Sequence, residues 1–283
     1  MRVSLVQVNA FTANSTGGNP AGVVLGADSL TDSQMLGIAK QVAFSETAFI
    51  TSNSSATKNV RFFTPTEEVD LCGHATIGSW SYMFRKGLIQ SGRHTQNTKA
   101  GLLKVEIRDG GRVYMEQTNA GFFDEINSAE VAAILRIGTS DLRPDLKPQI
   151  VSTGLRDLLV PVASEDVLNS INPDFDAMTE MSKRYGIVGF HVFALLPNQL
   201  SVAVARNFAP LFGIDEESAT GTSNGALFCY LREHKELPPS QAEYRIEQGK
   251  TMNQLSYIYG NFKNDIVWIG GTASVVKEFE LSI

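Results

Sequence analysis

The 283-residue sequence predicts an α+β protein of two pseudosymmetric domains, each a mostly antiparallel, barrel-like sheet around one central helix. Two observations predict this fold. A segment that consists of a strand, an acidic loop, a glycine turn and a helix occurs twice, about half a chain apart. Most other segments alternate apolar and polar residues, as strands do. We place the domains at 1–119 and 120–283, and the last strand, near 273–283, is able to return to the first domain.

The repeated segment runs from Arg61 to Gly87 and again from Arg206 to Leu231. Both copies open with Arg-x-Phe-x-Pro, pass through acidic residues and reach a glycine, Gly73 or Gly221, where an aromatic-containing helix begins. The distance from arginine to glycine differs by three residues, which a loop absorbs at small entropic cost. The repeat therefore indicates two related domains, and chance similarity of two strand–turn–helix units is the alternative.

In the first half, a helix is expected from Thr31 or Asp32 to about Val42, because a polar cap precedes apolar residues at helical spacing. Glu46 is expected inside a strand, on the face that also carries Phe44. The expected strands cover 3–11, 23–25, 44–50, 61–64, 101–107 and 112–117, with a loop at 16–22.

The second half has the same kind of pattern. Residues 119–123 are interpreted as the crossing between the halves, and no Pro- or Ser-rich linker separates them, which favours closely packed domains. Helices are expected at 129–135, 165–171, 175–184 and after the second glycine turn. The expected strands cover 150–152, 158–162, 186–196, 201–205, 244–248, 255–259, 266–270 and 273–279.

The composition argues against several classes of protein. A formal charge of −6 without a basic run argues against nucleic acid and anionic membrane surfaces as partners. Two cysteines are too few for a disulfide framework, and no apolar run reaches the length of a membrane span. We expect a cytoplasmic protein.

Familiar catalytic signatures are missing from the sequence. It has no dinucleotide fingerprint, phosphate-binding loop or Gly-x-Ser-x-Gly motif. Four histidines are scattered without metal-ligand spacing, namely His74, His94, His191 and His234. The sequence therefore favours proton abstraction without metal or cofactor, which needs one base of raised pKa and donors for a developing oxyanion.

The two glycine turns supply such donors. The backbone amides of Gly73, His74 and Ala75 begin a helix, where converging N–H groups and the helix dipole favour an anion. If both turns face a cleft between the domains, they suit a small carboxylated substrate.

Glu46 is the candidate base. When the halves are aligned on their arginines, Phe190 falls within one residue of the position opposite Glu46, so only one half offers a carboxylate there. Shielding by Phe44 is expected to raise the pKa of Glu46 by desolvation. A glutamate that faces water from an edge strand is the alternative.

The other candidates lie at the two turns. The helix dipole is expected to keep His74 neutral and to favour a thiolate at Cys72. In the second copy of the repeat, Thr220 stands at the position of Cys72, which rules out a symmetric pair of thiols. Glu217 and Thr222, which flank the second turn, are further candidate catalytic residues. Capping and packing roles are the alternatives for these side chains.

Five motifs, taken in order over essentially the whole chain, resemble the PhzF, or phenazine-biosynthesis-like, family, which has the diaminopimelate epimerase fold. They are Gly18-Asn-Pro-Ala21, Ser45-Glu-Thr-Ala-Phe49, Leu71-Cys-Gly-His-Ala-Thr76, Ala219-Thr-Gly-Thr222 and Glu247-Gln-Gly249 with Met252. The resemblance implies two pseudosymmetric domains with the site between them, no cofactor, and a homodimer.

By this resemblance, Glu46 is the catalytic acid/base and His74 assists it. Glu217, Ser218 and Thr222 stand where the family usually has Asp, Pro and Ser, which puts the substrate in doubt more than the reaction type. Cys72 matches one of the two cysteines of diaminopimelate epimerase, and threonine replaces the other. The expected substrate-binding residues are Asn19, Cys72, Gly73, Ala75, Gly221 and Ser223.

The sequence thus predicts a cofactor-independent isomerase that moves a proton on a small carboxylated metabolite. A racemase or epimerase that uses Cys72 is one alternative, and a non-catalytic binding protein for small acids is another.

Overall fold

A computed structural model describes residues 2–52, 55–197 and 199–282 of the chain. These residues form two compact units. Unit 1 comprises Met1–Glu116 and Gly270–Ile283, and unit 2 comprises Gln117–Ile269. The chain passes from unit 2 back to unit 1 within the strand β17 (Ile266–Gly271).

Unit 1 surrounds one long, buried helix with strands. Its helices are α1 (Asp32–Val42) and α2 (Gly73–Arg85). Its strands are β1 (Arg2–Ala10), β2 (Asn19–Leu25), β3 (Thr47–Thr51), β4 (Lys58–Phe63), β5 (Glu68–Val69), β6 (Gly92–Thr98), β7 (Gly101–Ile107), β8 (Val113–Glu116) and β18 (Ala273–Ser282).

Antiparallel pairing dominates the sheet of unit 1. β1 lies between β18 and β2, antiparallel to both, and β6, β7 and β8 form an antiparallel meander. Only the pairs β2–β3 and β4–β6 are parallel among the described pairings of this unit. Every residue of α2 from His74 to Met83 is buried, as expected for a helix inside a curved sheet.

Unit 2 has more helices. They are α3 (Ser128–Leu135), α4 (Glu165–Ser170), α5 (Phe175–Tyr185) and α6 (Gly221–Glu233). Its other strands are β9 (Gly121–Glu125), β10 (Gln149–Ser152), β11 (Arg156–Val162), β12 (Gly189–Leu195), β13 (Ala203–Ala209), β14 (Ile214–Glu217), β15 (Tyr244–Gln248) and β16 (Ser256–Lys263).

The pairing pattern of unit 1 is repeated in unit 2. β11 and β12 are parallel, β12 and β13 antiparallel, and β13 and β15 parallel, in the same order as β2, β3, β4 and β6. The helix α6 has the same length as α2, 13 residues, and is likewise buried. The structure therefore confirms the predicted α+β fold class.

The two arginines that mark the repeat make equivalent contacts. Arg61 binds both carboxylate oxygens of Glu68 at 2.8 Å, and Arg206 binds both of Glu216 at 2.9 and 2.8 Å. These paired hydrogen bonds hold β5 beside β4 and β14 beside β13. The acidic stretches that were expected to be loops are therefore partly strands.

Two further expectations about local structure were wrong. Glu46 does not lie inside a strand, because β3 begins at Thr47, one residue later. The expected loop at 16–22 is partly strand, because β2 already starts at Asn19. A tertiary contact accounts for the second difference: the Gly22 amide donates to the Glu46 carbonyl at 3.0 Å, so that Gly22 pairs with the start of β3.

Candidate active site

Glu46 is positioned by the end of α1 and the start of β3. The helix ends at Ala43 in a left-handed conformation, with φ of 54°, which turns the chain back toward the sheet. Three residues later the Glu46 side chain is 22% exposed, so it is neither in bulk water nor fully enclosed.

Cys72 and His74 are positioned by the N-terminus of α2. Cys72 is the N-cap residue in an extended conformation, and its side chain makes no capping hydrogen bond. The first backbone bond of the helix runs from the Thr76 amide to the Cys72 carbonyl at 3.0 Å. The amides of Gly73, His74 and Ala75 precede that bond and form the amide-rich end of the helix, as the sequence predicted.

Glu46, Cys72 and His74 come together in unit 1. His74 Nε2 lies 3.1 Å from Glu46 Oε2 and 3.2 Å from the Ser45 hydroxyl. Cys72 Sγ lies 3.5 Å from His74 Nδ1. Cys72 and His74 are only 6% and 5% exposed, so the contact between them is largely shielded from water.

The three side chains set one another's protonation. Burial raises the pKa of Glu46, but the His74 charge and the polar contacts from His74, Ser45 and Cys72 outweigh it, so the pKa lies below its usual value. Burial raises the pKa of Cys72 to about 11, and the nearby Glu46 charge acts in the same direction. The Cys72 thiol therefore keeps its proton at neutral pH.

His74 responds in the opposite direction. Burial lowers its pKa, but the Cys72 sulfur and the Glu46 carboxylate raise it by more, to well above the usual histidine value. Since Cys72 is a neutral thiol at pH 7, the Glu46 carboxylate is the charge that supports the imidazolium. The resting pair is a carboxylate beside an imidazolium.

These protonation states correct three sequence expectations. The pKa of Glu46 is lowered, not raised, because the contacts with His74, Ser45 and Cys72 outweigh the effect of burial. The pKa of His74 is raised, not lowered, because the Cys72 sulfur and the Glu46 carboxylate together outweigh the effect of burial. Cys72 is a thiol, not a thiolate, because it is buried beside that carboxylate.

The same three side chains carry metal-ligand atoms within 4.8 Å of one another. Thiolate sulfur, imidazole nitrogen and carboxylate oxygen are the donors that zinc accepts, so Cys72 would have to lose its proton to bind zinc. The expectation of no metal site rested on spacing in the sequence, where Glu46 and His74 are 28 positions apart, and that spacing does not reveal this group.

The second glycine turn, at the N-terminus of α6, is arranged differently. Thr220 is the N-cap residue, and its hydroxyl donates to the Glu217 carboxylate. The carbonyl of Thr222 accepts a hydrogen bond from the Thr153 hydroxyl at 3.1 Å. Glu217 and Thr222 are half-buried, and Gly221 and Ser223 are buried. Unit 2 thus has a carboxylate at its turn but no histidine–thiol pair.

A buried network of amide side chains supports this second turn. Gln248 donates to the Glu217 carbonyl at 2.7 Å and accepts from the Thr220 amide at 3.2 Å. Asn224 donates to the Thr220 carbonyl at 2.8 Å and to Gln248 at 2.6 Å. Because both side chains bond backbone groups, their orientations are fixed, and they hold the turn in one geometry.

This network also fixes the tautomer of a fully buried histidine, His191. Since the Asn224 amide nitrogen donates elsewhere, its oxygen accepts from His191 Nε2, 3.3 Å away. The other ring nitrogen then accepts from the Asn207 side chain at 3.1 Å. Burial lowers the pKa of His191 to about 4, so the ring is neutral and structural.

Sequence reasoning missed Asp157, which is 1% exposed and lies beside the second turn. Its Oδ2 accepts a hydrogen bond from the Ser223 hydroxyl at 2.7 Å. It sits on β11, opposite Gly189 of β12. An aspartate within an apolar strand was the available signal, since such a residue is rarely buried without a reason.

Asn19, the remaining expected substrate-binding residue, is buried at the start of β2. It belongs to unit 1, as do Cys72, Gly73 and Ala75, whereas Gly221 and Ser223 belong to unit 2. Among the described residues, no helix is long and apolar enough to cross a bilayer.

Comparison with known proteins places this fold. An uncharacterized isomerase of Clostridium acetobutylicum is 35% identical over 296 residues, covering 99% of this chain and 98% of that protein. The crystal structure of a Bacillus anthracis phenazine biosynthesis protein of the PhzF family superposes with a TM-score of 0.90 at 30% identity, over 100% of both chains. A hydroxyproline epimerase from Agrobacterium vitis shares the fold alone, with a TM-score of 0.64 at 13% identity over 99% of this chain and 91% of that one.

The fold and these relatives define the class of protein, an isomerase with an epimerase-like fold. The model of the PhzC-PhzF family, described as phenazine biosynthesis-like protein, matches residues 8–278. The chain belongs to that family, and the resemblance found in the sequence is confirmed.

Proposed function

We propose that this protein is a cofactor-independent isomerase that moves a proton on a small carboxylated substrate, with Glu46 as general acid/base. The observation that carries the proposal is the Glu46–His74 pair, 3.1 Å apart at the amide-rich end of α2. A base, an acid and anion-binding amides in one place are the parts that a proton shift beside a carbonyl needs.

The resting, ionised carboxylate of Glu46 takes the proton from the substrate carbon. A substrate that displaces water from the partly exposed Glu46 carboxylate raises the pKa of Glu46, which makes it a stronger base. The developing negative charge is met by the amides of Gly73, His74 and Ala75 and by the His74 imidazolium. Glu46 then returns the proton at a different carbon, which completes the isomerisation without net oxidation or reduction.

In unit 1, we assign Asn19 and Cys72 to binding the substrate. In unit 2, the helix amides at Gly221 and Ser223 and the side chains of Glu217 and Thr222 form a second group of predicted site residues, with Glu217 and Thr222 as the predicted catalytic ones. Glu217 reaches further than the aspartate usual in the family, and Thr222 has a methyl group that serine lacks. These differences point to a substrate that differs from those of family members with aspartate and serine.

The raised pKa of Cys72 favours one base over two. In a two-base racemase, Cys72 would give a proton as a thiol in one direction and take one as a thiolate in the reverse direction, and burial together with the Glu46 charge disfavours the thiolate. The single-base isomerase is therefore the proposed function.

The test is proton exchange with solvent. The protein is incubated in D2O with a panel of small hydroxy- and amino-substituted carboxylic acids, and carbon-bound deuterium is measured by NMR. For an acid that exchanges, Glu46→Gln should lower the rate by roughly 10²-fold or more, the usual loss when a general base is removed. Glu67→Gln, a change at an exposed acidic residue, is the matched control and should leave the rate unchanged.

Unchanged exchange in Glu46→Gln would remove Glu46 from its role. An acid that binds, as seen by chemical-shift changes, without exchange in the wild-type protein would favour the non-catalytic binding protein instead.

A further inference from the structure

Asp157 is a buried carboxyl group that the proposed reaction does not use. Its exposed fraction is 1%, and its Oδ2 is bonded by the Ser223 hydroxyl at 2.7 Å. Its Oδ1 is also buried and has no hydrogen-bond partner among the described residues. A buried, ionised carboxylate with one oxygen left unbonded is costly, so this group calls for an explanation.

Ser223 connects Asp157 to the amide-rich end of α6. The first backbone bond of that helix runs from the Asn224 amide to the Thr220 carbonyl at 3.2 Å, so the amides of Gly221, Thr222 and Ser223 precede it. The same residue, Ser223, thus presents its amide at the helix end and its hydroxyl to Asp157.

Few other charges act on Asp157. Its neighbour on β10 is Val151 and on β12 is Gly189, neither of which titrates. The first turn of α6 has no acidic residue, and His191 on β12 is neutral and bonded to Asn207 and Asn224. The Glu217 carboxylate is the titratable group that acts on it within unit 2.

Burial raises the pKa of Asp157 to about 7 and the nearby charge of Glu217 acts in the same direction, whereas the hydrogen bonds from the Ser223 hydroxyl and the Gly189 backbone act against them. The carboxyl group is therefore poised between its two forms near neutral pH. A further negative charge at the end of α6 would favour the protonated form, by the same Coulomb repulsion.

We propose that Asp157 takes up a proton from solvent when a carboxylate binds at the N-terminus of α6, with Ser223 as the link between the two. In the empty state Ser223 donates its hydroxyl hydrogen inward to the ionised carboxylate. In the bound state Asp157 is neutral, and its new proton is available to the Ser223 oxygen. Asp157 is thus a positioning residue whose protonation removes the repulsion that its ionised carboxylate would exert on the bound acid.

The inference rests on the proposed function only in that a carboxylate is the ligand. By linkage, the affinity for a carboxylate falls as pH rises above the pKa of the free protein, and continues to fall until the pKa of the complex is reached. Protonation and binding favour each other to the same extent.

Acetate is the probe for the test, because it presents a carboxylate and nothing else. Its affinity is measured from the amide shifts of Gly221 and Ser223 in ¹⁵N spectra at pH 6 and pH 8, at constant ionic strength. The wild-type affinity should be at least about threefold lower at pH 8, as expected if binding raises a pKa near 7 by one unit. Asp157→Asn should bind acetate equally at both pH values, whereas Glu217→Gln should keep the pH dependence.

A second measurement follows Asp157 itself in the wild-type protein. With ¹³C-labelled aspartate, the Asp157 carboxyl signal, assigned by its loss in Asp157→Asn, should titrate near pH 7 and move to higher pH with acetate. In Ser223→Ala the midpoint without acetate should rise, since the hydrogen bond that favours the ionised form is removed. If Asp157 merely supported the helix, neither acetate nor the Ser223→Ala change would shift the midpoint of its titration.

The proposal is overturned if the Asp157 signal titrates near the usual aspartate value, or if acetate does not move its midpoint. It is also overturned if Asp157→Asn keeps the pH dependence of binding. None of these measurements needs turnover, so they fail or succeed independently of Glu46 and its exchange test.

Discussion

His74 Nε2 lies 3.1 Å from Glu46 Oε2, and this contact makes a charged pair of two side chains that the sequence separates by three strands. The pair lies at the N-terminus of α2, where an imidazolium would be disfavoured without a carboxylate beside it. The proposed acid/base chemistry, and its response to pH, depend on this relationship.

The pair should give the stability of the protein a defined dependence on pH. The pKa of Glu46 is lowered in the folded state, so its contribution is present above about 4.5 and is lost as pH falls through the folded pKa. The pKa of His74 is raised, so its contribution is complete below about 6.5 and is lost as pH rises through the folded pKa. Both contributions are therefore complete between those values.

Urea unfolding of the wild-type protein and of Glu46→Gln checks this. The difference in free energy of unfolding between the wild-type protein and Glu46→Gln should be greatest between pH 4.5 and 6.5. There it should reach roughly 1–3 kcal/mol, as expected for a hydrogen bond to a charged group. A difference that is constant from pH 4 to pH 9 would contradict the assigned charges.

The two repeat arginines should differ in their effect on stability. Arg206 is 10% exposed and also donates to the carbonyls of Leu168 and Ile171 at 3.0 and 2.8 Å, whereas Arg61 is 25% exposed. Removing Arg206 takes its donors from two carbonyls and from the half-buried Glu216, which keeps the hydrogen bond from the Thr251 hydroxyl. Arg206→Ala should cost about 3–5 kcal/mol of unfolding free energy, and Arg61→Ala about 1 kcal/mol. Equal losses of unfolding free energy in denaturant titrations of the two variants would show that burial of the arginine does not determine its contribution to stability.

Two glycines give a matched pair of alanine substitutions with opposite effects. A Cβ added at Gly189 would lie 1.9 Å from the Phe208 carbonyl oxygen, so Gly189→Ala forces β12 and β13 apart and should cost at least about 2 kcal/mol. A Cβ at Gly37, on the exposed face of α1, meets nothing within 4 Å. Gly37→Ala should stabilise the protein by about 0.5–1 kcal/mol through helix propensity. Thermal unfolding of both variants tests the comparison, and destabilisation by Gly37→Ala would be the contrary result.

Cys72 should resist alkylation in the folded protein. Burial raises the pKa values of both Cys72 and Cys229 to about 11. Compared with the ordinary value of 9.0, this lowers the thiolate fraction at pH 7.5 by a factor of about 100. Iodoacetamide at pH 7.5 should label neither cysteine within an hour, and mass spectrometry should find both labelled in urea. Rapid native labelling of Cys72 with loss of exchange activity would favour the thiol-based racemase.

The sequence contains enough information to predict the α+β class, the internal duplication and the two glycine turns. These features depend on local patterns: alternation along strands, apolar spacing along helices, and the repeated Arg-x-Phe-x-Pro at Arg61 and Arg206. The resemblance to the PhzF family rests on short motifs that are also local in the chain, and it too is confirmed.

What the sequence could not determine is how the site titrates. Three predicted protonation states, at Glu46, Cys72 and His74, were wrong because each was inferred from one neighbour or one helix end. Asp157 was missed because its partner, Ser223, is 66 positions away. A pKa depends on distances of a few ångströms between charges and on the exclusion of water. Only the tertiary structure brings distant segments within that range, so it alone decides which groups in this protein carry protons.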